Sequence, residues 1–171
     1  MSGAPFHVRR LGTQDADAFR ALRLSGLKTH PEAFGASYEE EVDLPRERWE
    51  RWLDDAHVFG GFAEAVLAGC ASLSARRPRK LSHIAELGAF YVTPESRGSG
   101  LASALMDACL RAAKSRYLQI VLTVNSENAA AQKLYLRHGF TVYGRLSRSL
   151  RVDNDLYDEV FMAHEVLRNG N

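Results

Sequence analysis

The sequence predicts an α/β fold: a mixed, mostly antiparallel sheet of about seven strands in which a central pair runs parallel. Three observations carry this. Runs of alternating hydrophobicity form a meander in the middle of the chain. A strongly amphipathic helical stretch then separates the last strand of that meander from a further apolar run, a β-α-β unit whose crossover is right-handed. Two more strand-like runs close the chain.

In order, a short strand around Val8 precedes a helix over Asp15 to Lys28, where Phe19, Leu22, Leu24 and Leu27 fall near helical spacing and Thr13 and Asp15 are candidate caps. The acidic run Glu39 to Glu41 reads as a solvated face. Pro45 suits the first helical position of a second helix carrying Trp49, Trp52 and Leu53. From His57 to Ala75 the chain reads as a hairpin: Val58, Gly60 and Phe62 alternate, a turn falls near Ala65 to Gly69, and Cys70 to Ser74 returns. Arg76 to Lys80 is a basic, proline-containing loop, read as an exposed tip. The strand Leu81 to Thr93 places Glu86, Gly88, Phe90 and Val92 on one face and Leu87, Ala89 and Tyr91 on the other. A carboxylate thereby shares a face with apolar residues.

The helix after it buries Leu101, Ala104, Leu105, Ala108 and Ala112. Ser103, Asp107, Arg111 and Lys114 form its wet face, with an i,i+4 pair between Asp107 and Arg111. Tyr117 to Val124 is a buried strand, Asn125 to Asn128 a polar turn, and Ala129 to Arg137 a helix stopped by Gly139. Strands over Thr141 to Arg151 and Leu156 to Val166 complete the order.

Bulk properties narrow the function. With 171 residues, 46% of them hydrophobic, the chain fits one globular domain over residues 1–171. A net charge of +1 with scattered Lys and Arg supplies no basic stripe, so nucleic acid is not an expected partner. The longest apolar segment, Val58 to Cys70, is interrupted by Glu64 and is shorter than the ~20 residues a membrane helix needs. No membrane partner is expected, and with no signal-peptide pattern the reading is cytoplasmic. Cys70 and Cys109 lie in apolar surroundings and read as buried free thiols. His7, His30, His57, His83, His138 and His164 are dispersed, with neither an i,i+4 pair nor a cysteine at ligand spacing, so no metal is expected. Ser96, Ser99 and Ser126 have no histidine pattern near them.

The stretch VTPESRGSGLASAL, Val92 to Leu105, places two glycines between a strand and a helix. A dinucleotide-binding turn needs a third glycine where Ser103 stands and an acid about 20 residues on. A P-loop needs Lys-Ser or Lys-Thr after the last glycine, where Leu101 and Ala102 stand. Two readings fit the loop taken alone. One is a plain turn. The other is an anion cradle: glycines let the main chain approach a pyrophosphate, and the first N–H groups of the helix and its dipole favour negative charge. Further on, Asn128, Ala131 and Tyr135 fall at i, i+3 and i+7 on one helix stripe. Tyr135 alone fits half-buried packing; an amide, a gap and a phenol in line are a more unusual set.

Together, VTPESRGSGLA and VNSENAAAQKLYLRHGF resemble the GNAT superfamily of acetyl-CoA-dependent N-acetyltransferases. The opening LRLSGLKTHPEAFGASYEEE and the closing DNDLYDEVFMAHEV are similar to members too. The resemblance implies helices on both faces of the sheet and a parallel pair that splays, leaving main-chain N–H groups at Phe90, Tyr91 and Val92 for the pantetheine arm of acetyl-CoA. It implies that Arg97, Gly98, Ser99, Gly100, Leu101 and Ala102 form the pyrophosphate loop, and that Asn128 and Ala131 border the coenzyme. Tyr135 would protonate the leaving thiolate, and an N–H near Val92 would polarise the thioester carbonyl. Where some relatives carry a glutamate base this chain has Thr123, so Glu86 is the expected base, directly or through water. Phe34, Tyr38 and Tyr157 are expected at the acceptor pocket. The implied reaction moves acetyl from acetyl-CoA to a primary amine of a small molecule; a protein N-terminus or lysine as acceptor, and a non-catalytic acyl-CoA sensor, are the alternatives. The final strands offer an edge for a homodimer, as in some relatives.

Overall fold

In the computed structural model of the chain, which describes residues 6–166, seven strands form one sheet in the order β1-β2-β3-β4-β5-β7-β6. They are β1 (Phe6–Arg10), β2 (His57–Ala63), β3 (Val66–Ala75), β4 (Ile84–Val92), β5 (Gln119–Asn125), β6 (Thr141–Val152) and β7 (Asp155–Glu165). Only β4 and β5 run parallel. The first hairpin turns sooner than its sequence suggests. Glu64 takes a left-handed φ of 55° beside Ala65, and Val66 to Gly69 are already paired with β2.

Helices cover both faces. On one, α1 (Ala16–Thr29) and, after the short α2 (Tyr38–Glu41), α3 (Arg46–Asp55) bring Phe19, Leu27, Trp49 and Leu53 onto Val58 and Cys70. On the other, α4 (Leu101–Ala113) and α5 (Ala129–Arg137) bring Leu101, Leu105, Met106 and Leu134 onto Leu73, Leu87 and Ile120. The interior stripe of α4 is rotated from the expected one: Met106, Cys109 and Ala113 are buried, and Ala104 and Ala112 are only half-buried. Asp107 turns to His138, with Oδ1 3.5 Å from Nε2, in place of Arg111. The end of α5 packs beside α4, and that tertiary partner takes the carboxylate. No helix among the described residues is long and apolar enough to cross a membrane.

The acidic run is also not simply a solvated face. Ser37 caps α2 in a reciprocal capping box with Glu40, and Glu41 is buried. Its carboxylate receives two hydrogen bonds from the Arg23 guanidinium, at 3.0 and 2.8 Å. Arg23 lies on the core-facing stripe of α1 between the rings of Phe34 and Trp52, 4.9 and 5.3 Å from their centroids. A guanidinium in that position requires a carboxylate, and α2 supplies it.

β4 carries the irregularity that shapes the rest. Ser74 opposes Glu86, Ser72 opposes Gly88 and Cys70 opposes Tyr91, so three steps along β4 match two along β3. The extra residue is a β-bulge, with Ala89 at φ 48°. It reverses the alternation partway along the strand. Glu86, Gly88 and Tyr91 therefore share the α1 face, whereas Leu87 and Val92 share the α4 face, and the expected grouping of Glu86 with Phe90 and Val92 does not hold.

Glu41→Ala leaves the Arg23 charge buried without a partner and is expected to lower unfolding stability by about 3 kcal/mol. Chemical denaturation measures this directly, and a loss under 1 kcal/mol on that scale would mean that the pair is solvated.

Candidate active site

Pairing between β4 and β5 begins at Ile84 with Gln119 and ends at Glu86 with Val121. Beyond that point the strands part, and a groove of ≈ 1240 Å³ opens between them, lined from β4 by Leu87 to Val92 and from β5 by Thr123 to Asn125. Backbone groups freed from a ladder need other partners, and here they face a cavity.

One end of the groove is the glycine turn. Gly98 and Gly100 have φ of 75° and 93°, the left-handed region that a side chain disfavours, and Gly100 is the residue before α4. Space around Gly98 is open, so conformation rather than crowding calls for glycine there. The Ser99 hydroxyl donates to the Ser96 carbonyl at 2.7 Å and accepts from the Leu101 N–H at 3.3 Å. The N–H groups of Ala102 and Ser103 find no protein acceptor among the described residues. They are donors at the positive end of a helix, the arrangement that holds phosphates. Arg97, Gly98, Gly100 and Ala102 line the groove; Ser99 and Leu101 do not, and the Leu101 side chain is buried against Gly61.

Asn128, Ala131 and Tyr135, from α5 and the residue before it, line the groove together. The Asn128 side-chain oxygen accepts from the Ala131 N–H at 3.0 Å and caps α5, which leaves its amide NH₂ to donate outward. Tyr135 is 7% exposed, edge-on to Phe90 at 6.0 Å and against Phe140 at 5.9 Å. Burial, with a smaller contribution from Cys109, pushes its phenol well above the ordinary tyrosine value. The group is therefore a proton donor and not a base at neutral pH. Burial likewise pushes the Cys70 and Cys109 thiols up to about 12, so neither is a thiolate nucleophile.

Glu86 stands apart from the groove lining, exposed and bonded by Arg76 Nε at 3.1 Å, though it shares a face with Gly88, which does line it. Thr123 lines the groove. Of the aromatic residues expected at the acceptor pocket, Phe34 is in the lining and Tyr38 and Tyr157 are outside it.

Three residues in the site were not singled out by sequence reasoning. Asn125 is buried; its amide donates to the Glu32 carbonyl at 2.9 Å and its oxygen accepts from the Glu127 N–H at 2.9 Å. It thereby ties the end of β5 to the 3₁₀ turn Pro31–Ala33, which walls one side of the groove. His138 bridges the helices, with Nδ1 2.8 Å from the Leu134 carbonyl and Nε2 3.1 Å from the Ser103 hydroxyl. His30 touches Arg97 across the groove. A polar residue ending an apolar strand was the available signal for Asn125; the other two contacts join distant segments and leave no local trace.

A sheet parted at its parallel pair, with helix-start amides and a buried phenol on the groove that opens there, defines an α/β protein organised around an inter-strand groove. Residues 25–140 match the Acetyltransferase (GNAT) family, and the chain belongs to that family. Mycothiol acetyltransferases are among its similar relatives. That of Thermobispora bispora is 35% identical over 131 residues, 75% of this chain and 43% of the relative. That of Pseudarthrobacter chlorophenolicus is 35% identical over 135 residues, 75% of this chain and 40% of the relative. The chain thus spans less than half the length of these curated relatives. Among solved structures, a GNAT-family acetyltransferase from Streptococcus pneumoniae superposes with a TM-score of 0.84 at 23% identity, over 95% of this chain and 100% of that one. The yncA protein of Salmonella typhimurium, solved with its cofactor acetyl-CoA, gives 0.84 at 20% identity, over 98% and 97%. These likenesses agree in fold.

Asn125→Ala removes both buried hydrogen bonds and is expected to cost about 2 kcal/mol, with faster amide exchange confined to the Pro31–Phe34 segment and the start of α5. Unchanged exchange there would show that the turn is held by other contacts.

Proposed function

We propose that the chain is an N-acetyltransferase that moves acetyl from acetyl-CoA to a primary amine of a small molecule by direct attack. One observation carries the reading: one groove, opening where β4 and β5 part, is lined both by the start of α4 after Gly100 and by the buried Tyr135. An anion site and a proton donor on one groove suit a substrate that carries both phosphates and a leaving thiol. Family membership and the relatives named mycothiol acetyltransferase support it.

In this reading Arg97, Gly98 and Gly100, with the main-chain N–H groups of Ala102 and Ser103, hold the pyrophosphate. The main chain of Phe90, Tyr91 and Val92 on the edge no longer paired with β5 receives the pantetheine arm, and Asn128 and Ala131 flank it. An N–H in the Phe90 to Val92 stretch stabilises the oxyanion. The amine nitrogen attacks the thioester carbon, the new C–N bond forms as the C–S bond breaks, and Tyr135 donates its proton to the departing thiolate. The proton lost by the amine passes through water to Glu86, on the same strand face as Gly88. Thr123 has no capacity for that step. Phe34 and the Asn125-tethered turn close the acceptor side to a compact amine, and the carboxylates of Glu32 and Glu127 on the lining attract its ammonium form.

Thiol release from acetyl-CoA, followed across a panel of small amines and N-terminal peptides, is expected to depend on the small amine. Coenzyme binding with no amine-dependent release would favour a sensor domain. Tyr135→Phe is expected to lower kcat about 100-fold while leaving acetyl-CoA affinity within twofold. Because the folded phenol titrates above its ordinary value of about 10, its acid form persists as pH rises, and kcat should not fall through Tyr135 up to about pH 9.5.

A further inference from the structure

Arg97 is held from two sides. Its Nε donates to the Val92 carbonyl at 3.3 Å, and a terminal nitrogen lies 3.0 Å from Nε2 of His30. A guanidinium carries only donors. The second contact is a hydrogen bond only while Nε2 of His30 offers a lone pair, which places the ring proton on Nδ1. On that side stands a carboxylate, with Glu32 Oε1 3.6 Å from Nδ1. His30 ends α1 and begins the Pro31–Ala33 turn, the same turn whose Glu32 carbonyl is held by Asn125. One imidazole therefore joins the Pro31–Ala33 turn to the glycine loop, and both His30 and Arg97 line the groove.

We propose that His30 is a positioning residue for the coenzyme grip: as a neutral acceptor it holds Arg97 in the orientation that presents its remaining donors to phosphate, and so couples phosphate affinity to the seating of the acceptor-side turn. The inference rests on the acetyl-CoA reading above. Two contacts occupy two of the five guanidinium N–H groups and leave the others for an anion. A side chain fixed beforehand loses less conformational freedom on binding than one that must be ordered by the ligand. Protonation of His30 replaces the lone pair with a second donor and sets two cations against each other, which frees Arg97. The groups facing His30 are Arg97 from the loop, Glu32 from its own turn and the Tyr91 ring from β4, 6.1 Å away. The bond to Arg97 thus exists with the neutral ring and not with the protonated one.

The test measures acetyl-CoA binding by calorimetry for the wild type, His30→Ala and His30→Gln at about pH 8 and about pH 5.5, beside kcat and KM. His30→Ala is expected to weaken binding about fivefold at the higher pH and to raise KM for acetyl-CoA with kcat at saturation unchanged. His30→Gln, whose amide oxygen accepts from Arg97 without titrating, restores the affinity. Its affinity also falls less than that of the wild type on acidification. Wild-type affinity in His30→Ala, or one common pH dependence for the wild type and His30→Gln, overturns the proposal. If His30→Ala does not fold, the comparison with His30→Gln decides alone. A wild-type chain that binds no acetyl-CoA at either pH overturns the coenzyme reading itself, an outcome distinct from loss of the His30 effect.

Discussion

The end of the β4–β5 ladder after Glu86 and Val121 is the constraint on which the rest of the site depends. A parallel pair in mid-sheet normally continues to the strand ends, because each unpaired backbone group removed from water carries a cost of about 1–3 kcal/mol. Here the ladder stops early, next to the bulge at Ala89. A non-glycine residue at φ 48° is itself strained, by roughly 1–2 kcal/mol, and the surroundings hold it. The β3 register fixes it on one side, and the Cys70 thiol, kept protonated by its burial, donates to the Ala89 carbonyl at 3.1 Å. A strained residue and a broken ladder coincide where the groove opens, the pattern expected where backbone is reserved for a ligand.

From that opening the groove acquires a chemical direction. Its loop end offers hydrogen-bond donors: helix-start amides, glycines and Arg97. Phe90 and Tyr135 add to the groove lining an apolar ring and a phenol that burial keeps protonated, with Phe140 packed behind in the core. α4 and α5 are fastened to each other by His138 and Ser103, and the acceptor-side turn is fastened to β5 by Asn125, so the walls of the groove are braced independently of anything inside it. Preorganisation of this kind lowers the entropic cost of binding and positions groups for reaction.

Much of this was readable wherever the signal is local. The extents of α5 and its Gly139 stop, the parallel crossover and the start of α4 at a glycine pair all follow from short-range spacing. Arg97, Gly98, Gly100, Ala102, Asn128, Ala131 and Tyr135 do line one groove, since each pattern lies within a single turn or helix. The bulge escaped because alanine, not glycine, occupies the left-handed position, and Gly88 beside it also fits a plain alternating strand. Glu41 escaped because its partner Arg23 is a helix away, and the Asp107 pairing because His138 arrives from another element. His30 and Asn125 act between segments far apart in sequence, where spacing has nothing to say.

Amide hydrogen exchange with and without acetyl-CoA tests most directly the claim that the parted strands seat the coenzyme. Added coenzyme is expected to slow exchange in two segments, the end of β4 from Gly88 to Val92 that has no β5 partner and the loop and helix start from Gly98 to Ser103. Protection elsewhere with those two segments unchanged, or no protection at saturating coenzyme, would contradict it.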